Sequence, residues 1–215
     1  MPHTKEGQSV TRDVDHRYWT ETGRELPSVT SCLRLLANEN ETRYYTAESR
    51  QRGSDIHQAI ADHWKGQIPV LSDAAAPYWP QLMIFLRESG FIVESAEEIV
   101  ADLAVGYAGT YDFLGWLAQY GRSSTEIDLV DVKTGGVPRQ VWCQTAAYAR
   151  PLRSRYGVIR RWCLQLTPER YRLVPLNVQP SGRVDRLADR RDEALFLAAH
   201  TISIYRQHPE TIGVQ

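Results

Sequence analysis

The sequence predicts an α/β fold: a single domain with a central mixed β-sheet flanked by α-helices. Three observations lead there. Apolar residues recur at helical spacing up to about residue 90, then at a spacing of two between about 98 and 133. A further helix-period segment at about 139–155 separates those strands from a second strand pair, the arrangement of a sheet with helices packed on it. No Pro/Gly/Ser-rich linker divides the chain, and 215 residues are enough for one domain with its own core.

Residues 1–25 are polar and expected to be partly loose, which leaves 26–215 for the domain proper. Leu26-Pro27-Ser28-Val29-Thr30 leads into the apolar stretch Cys32-Leu33-Leu35-Leu36, with a hydroxyl residue placed to cap a helix start. Residues 44–64 read as a helix, with Ile56, Ala59, Ile60 and Trp64 near one stripe; Gly66 and Pro69 end it. Residues 73–90 read as a second helix closing at Gly90. Three strands follow, Glu98 to Val105, Gly109 to Leu117 and Glu126 to Lys133, with Gly106 and the 121–124 Gly-Arg-Ser-Ser cluster as turns. The helix at about 139–155 carries Pro151, expected to kink or interrupt it. Val158 to Leu166 and Tyr171 to Leu176 read as a hairpin turning at Thr167-Pro168-Glu169, and a last helix spans about 183–206.

Bulk properties exclude several classes. No stretch approaches the roughly 18 apolar residues of a membrane span, and the N-terminus lacks an apolar signal core, so no membrane partner and a cytoplasmic location are expected. The three cysteines, Cys32, Cys143 and Cys163, are far apart and too few for a zinc ribbon or an iron–sulfur cluster; neither is expected. Net charge is −1, but residues 133–172 hold nine Lys or Arg against one acid, Glu169. That asymmetry reads as a basic face able to hold a phosphate backbone.

The chemistry is carried by Gly109-Thr110-Tyr111-Asp112-Phe113-Leu114-Gly115 and by Glu126-Ile127-Asp128-Leu129-Val130-Asp131-Val132-Lys133-Thr134-Gly135. Residues two apart on a strand share a face, so Asp131 and Lys133 point the same way, at the tip of an otherwise apolar strand. Asp112 lies among apolar residues and would be costly to bury unpaired. Two carboxylates suit a hard divalent cation such as Mg²⁺ or Mn²⁺, and a neighbouring lysine can steady charge on a phosphate. His57 follows Gly53 by one helical turn and offers an imidazole ligand. Gln144 and Tyr148, four apart on the next helix, share a face. Trp64, Trp79, Trp116, Trp142 and Trp162 are assigned chiefly to the core, though such rings can stack on single-stranded bases.

Taken in order, Gly53…His57, the 106–112 segment ending in Asp112, Asp131-Val132-Lys133 and Gln144…Tyr148 resemble the PD-(D/E)XK nuclease superfamily, most closely its RecB-like branch. The entry at 26–30 is similar to that of phage exonucleases and the mitochondrial genome maintenance exonuclease group. The resemblance covers about 26–150. It implies a restriction-endonuclease-like core and Mg²⁺ or Mn²⁺ as cofactor. His57, Asp112, Asp131 and the Val132 carbonyl would be the metal ligands, and Lys133 the catalytic lysine. Gln144 would assist catalysis; Gln144, Tyr148, Arg139 and Thr134 would contact substrate; Glu98 would be a supporting acid. Tyr111 stands where many members have proline, and Asp131 where many have glutamate. The four cysteines of the branch's iron–sulfur members are missing.

The expected activity is hydrolysis of phosphodiester bonds in DNA, at single-stranded or duplex ends, in recombination, repair or phage replication. A homo-oligomer or a recombination partner protein is left open, as are polarity and exo against endo action. The alternatives are a non-catalytic nucleic-acid-binding subunit with the same fold and a metal-dependent hydrolase of small phosphoesters. With no G-x-x-x-x-G-K-[ST] loop, a nucleotide-driven motor is excluded.

Overall fold

The computed structural model describes residues 9–36 and 46–207. It is a mixed α/β domain built on a five-stranded sheet. The sheet's strands are β4 (Ile92–Asp102), β5 (Tyr107–Trp116), β6 (Glu126–Thr134), β7 (Val158–Leu166) and β8 (Tyr171–Pro175), in that spatial order. All neighbours run antiparallel except β6 and β7, which are parallel. A parallel pair needs a crossover, supplied here by helix α4 (Gln140–Leu152).

Helices cover both faces. On one, α2 (Ala47–Trp64) and α3 (Trp79–Ser89) bury Ile56, Ile60, Leu82 and Phe85 against Phe113, Val130, Val132 and Leu164. On the other, α1 (Val29–Leu33), α4 and α5 (Arg186–Gln207) bring Val29, Leu33, Ala147 and Phe196 onto Leu114, Ile127 and Leu129. With helices on both faces, β5 and β6 are buried almost throughout and read as near-continuous apolar runs interrupted by their acids. Gly115 permits the closest approach within the sheet: a Cβ there would lie 2.2 Å from the Ile92 carbonyl oxygen on β4.

Local chemistry explains most boundaries. Ser28 caps α1 by accepting from the Ser31 N–H at 3.0 Å, and Thr46 caps α2 by accepting from Ser49 at 3.0 Å. The expected start of α2 at 44 falls outside the described residues. Gly90 ends α3 at φ 58°, as a left-handed cap. That helix starts at Trp79 rather than 73, with Pro80 in its first turn, where a missing N–H is harmless. Pro151 sits in the last turn of α4 and does not interrupt it. The Ala147 carbonyl that Pro151 cannot pair instead accepts from the Tyr107 hydroxyl at 2.9 Å.

Two expectations are corrected. The segment read as loose folds from residue 10 into a small antiparallel sheet, β1 (Val10–Arg12), β2 (Tyr18–Thr20) and β3 (Glu25–Leu26). Its strands are too short for periodicity to register, and they are held by Val10, Tyr18 and Leu26 packing on Ala101 and Ala108 of the main sheet. Residues 1–8 lie outside the described residues. Strand β4 begins at Ile92, six residues before the expected Glu98, and ends at Asp102, because an edge strand with a bulge between Val93 and Ser95 breaks the period-two pattern. No helix among the described residues is long and apolar enough to cross a membrane.

Candidate active site

The site opens where β5 and β6 part. Their pairing runs only from Gly115↔Asp128 to Phe113↔Val130, although β6 continues to Thr134. Past that point the Val132 N–H would lose its strand partner. The side chain of Asp112 takes the vacancy: Oδ2 accepts from the Val132 N–H at 2.5 Å. Asp112 is therefore buried and paired, and its other oxygen, Oδ1, faces His57 Nδ1 at 3.2 Å.

His57 reaches the strands from α2, as its position one turn after Gly53 suggested. A Cβ at Gly53 would lie 3.9 Å from Thr134 Oγ1, so this glycine sits where α2 meets the end of β6. Nδ1 of His57 also lies 2.9 Å from Glu97 Oε1. Glu97 stands across the ladder from Asp112, between the pairs Ala96↔Phe113 and Glu98↔Tyr111. Its φ of 52° is unusual for a residue with a side chain and signals local strain of the kind found at functional sites. Donor atoms of His57, Glu97 and Asp112 all lie within 4.8 Å of one another, close enough to share one metal ion.

The expected supporting acid, Glu98, is corrected to Glu97. Alternation counted from the sequence cannot supply the register, because a bulge and a left-handed residue both fall on β4. The adjacent Glu97-Glu98 pair was the only available signal, and it does not choose between the two.

Asp131 and Lys133 project together, as the strand period requires, with Nζ 2.5 Å from Asp131 Oδ2. Neither Asp131 oxygen accepts a hydrogen bond of good geometry. Charge is dense here. Burial raises the Asp131 carboxyl from 3.8 to about 6, with Asp112 adding to the rise and Lys133 opposing it. Burial works against the charged forms of His57 and Lys133, yet the surrounding carboxylates outweigh it and hold both well above their usual values. Burial pushes Glu97 up. For Asp112 it is overcome by His57, Lys133 and the Val132 N–H, which hold the carboxyl below its usual range. His57 keeps 36% of its side-chain surface exposed, so the triad is open to an ion from solvent.

One stability prediction arises here. Between pH 3.8 and about 6 the folded protein holds a proton on Asp131 that the unfolded chain has released. Stability therefore falls as pH rises through that window. An Asp131→Asn variant, kept in EDTA, is expected to lose the slope between pH 4 and 6, with no gain in Tm at pH 7–8 because the buried Lys133 ammonium loses its partner. A wild-type slope between pH 4 and 6 in the variant would refute the assignment.

Gln144 donates to the Tyr148 hydroxyl at 3.0 Å, joining the two residues expected to share a face of α4. Tyr148 is buried; its ring fills the space that Gly109 leaves empty, where a Cβ would meet it at 2.5 Å. The charges of Asp131 and Asp112 act on its hydroxyl. Thr134 presents its carbonyl to Arg52 at 2.9 Å. Arg139 occupies the N-cap position of α4. Val132 contributes its N–H to Asp112.

The basic stretch 133–172 is not a free cationic face. Arg150 pairs with Asp102 and Glu193, Arg153 with Asp189 and Glu193, and Arg155 with Glu94. Arg160 pairs with Asp128 and Glu126, and Arg161 with Asp189 and Asp192. The acids come from elements distant in sequence, so a charge count along the segment misses them. Of the tryptophans, Trp116 and Trp162 are buried and Trp64 packs edge-on against Phe113. The three cysteines are buried free thiols. No family model matches the chain, and no curated protein sequence matches it significantly.

Proposed function

We propose that the chain is a divalent-metal-dependent nuclease that hydrolyses phosphodiester bonds in DNA, acting as an exonuclease or end-processing enzyme of recombination, repair or phage replication. The observation that carries this reading is the meeting of the His57–Glu97–Asp112 triad with the Asp131–Lys133 pair at the parted ends of β5 and β6. Two or three hard oxygen donors with one imidazole suit Mg²⁺ or Mn²⁺. A bound cation supplies positive charge against the phosphate and eases ionisation of water.

The protein's own part is positional. His57, Glu97 and Asp112 would hold the ion, with Asp131 as a further carboxylate nearby. The Val132 N–H fixes the plane of the Asp112 carboxylate. Lys133, tethered to Asp131, directs its ammonium at the phosphate, where it orients the attacking water and steadies the developing negative charge. Gln144 and Tyr148 form a polar wall beside the acids.

The test is cleavage of end-labelled single-stranded and duplex DNA in EDTA, Mg²⁺ or Mn²⁺ by wild type and Asp112→Asn. Metal-dependent cutting by wild type, lost in the variant, is the expected result. DNA retained in a gel shift without cutting on any substrate would leave a binding subunit instead. Turnover of nucleotide esters without DNA cleavage would indicate a small-phosphoester hydrolase.

A further inference from the structure

We propose that Arg12 and Arg52 grip the substrate's phosphate backbone on the two sides of the cleaved bond, which makes the N-terminal sheet one wall of the DNA groove. This rests on the nuclease reading and specifies how that site would hold its substrate. With the arginines of 150–161 consumed by internal acids, phosphate contacts near the site must come from other residues. Arg12 and Arg52 are cations beside the acids that form no ion pair among the described residues, and neither lies in the basic stretch.

Arg12 extends from β1. Its Nη1 donates to Thr110 Oγ1 at 3.2 Å, and the Tyr18 hydroxyl meets the same oxygen at 2.9 Å. Thr110 lies two residues before Asp112 on β5, so the small sheet places a guanidinium at the rim of the site. The guanidinium is exposed, and its charge acts on Glu97. Arg52 extends from α2, five residues before His57. Its Nη2 donates to the Thr134 carbonyl, its plane lies over the Tyr78 ring at 4.9 Å, and its Nε is buried with no acceptor. The fork is thus fixed in orientation while its charge goes uncompensated.

β5 and β6 run antiparallel, so Thr110 and Thr134 lie toward the same open end of the sheet. Arg12 stands on the β4–β5 side and Arg52 at the tip of β6, with the triad and Lys133 between them. A guanidinium pairs with phosphate through two parallel N–H donors, and a phosphate chain laid across the strand ends would meet one arginine on each side. Such contacts carry no sequence information.

The test is fluorescence anisotropy of a labelled single-stranded oligonucleotide and its duplex, in EDTA, across a range of KCl concentrations. The variants are Arg12→Gln, Arg52→Gln, Arg52→Lys and, as an exposed control at the opposite end of the strands, beside the Tyr120 turn, Arg183→Gln. Loss of one phosphate contact is expected to weaken binding about eightfold at 0.1 M salt and to reduce the log–log salt slope by about 0.7–0.9. R12Q and R52Q should each do this; R52K should keep most of the slope, and R183Q all of it. Melting curves check folding, and R12Q, on an exposed side chain, decides the matter if R52Q unfolds. Wild-type affinity and slope in R12Q and R52Q, from a protein that still cuts DNA, would overturn the inference and leave the nuclease reading standing. A wild type that neither binds nor cuts would remove both.

Discussion

Under the nuclease proposal, DNA cleavage by a Lys133→Met variant is expected to fall at least about 10²–10³-fold, the usual cost of removing one positioned charge from a site of developing negative charge. Methionine keeps the length and apolar stem of lysine, so packing is little disturbed. What disappears is the ammonium 2.5 Å from Asp131 Oδ2, which also lowers the carboxyls of Asp131 and Asp112. The proposed metal triad does not include Lys133, so under that proposal Mn²⁺ binding measured by calorimetry should change far less than kcat. A variant that cuts within tenfold of wild type would remove the lysine from the mechanism. Loss of metal binding in proportion to loss of cutting would make it a structural partner of Asp131 rather than a catalytic group. The carboxylates hold Lys133 well above its usual pKa, so under the nuclease proposal it would act as a cation and not as a general base.

The second large effect is on stability. Arg161 is fully buried on β7. Nε donates to Asp189 at 2.9 Å, Nη2 to Asp192 at 2.9 Å, and Nη1 to the Trp142 carbonyl at 2.6 Å and Thr145 Oγ1 at 3.0 Å. One side chain therefore ties β7 to α4 and α5. Arg161→Met leaves buried Asp192 with only the exposed Arg191 on its Oδ1, and takes one donor from the Trp142 carbonyl, which keeps the Thr145 hydroxyl. Breaking a buried pair from one side costs about 3–5 kcal/mol, which for a chain of this size lowers Tm by roughly 6–20 °C. Adding Asp192→Leu should recover part of the loss, because no unpaired charge then remains at that position. Arg155→Gln, which breaks a half-exposed pair with Glu94, should cost at most about 1 kcal/mol. Chemical denaturation of the three variants checks the order. An Arg161→Met protein within 1 kcal/mol of wild type would mean that the cluster is not the fastening it looks to be.

These two residues show what pattern can and cannot reveal. Lys133 was legible because it lies two residues from Asp131, and strand geometry makes any such pair share a face. The same holds for Gln144 and Tyr148, four apart on a helix, and for Gly90 at the end of α3. The function of Arg161 was misread. A count over 133–172 sees nine cations and one acid, whereas the folded chain sets five of those arginines against acids drawn from residues 94 to 193.

By itself the sequence determined the sheet-and-helix order and the buried strands β5 and β6, which follow from local periodicity, and the shared face of Asp131 and Lys133, which follows from their spacing. The grouping of His57 and Asp112 with that pair was expected from the family resemblance alone, because it joins three separate elements. Tertiary structure alone decided that Glu97 and not Glu98 faces His57, that residues 10–26 form a sheet against β4 and β5, and that Arg12 and Arg52 form no ion pair among the described residues. Those outcomes depend on a bulge, a left-handed backbone residue and contacts between residues up to 98 apart, and no local pattern encodes a pairing made across the fold.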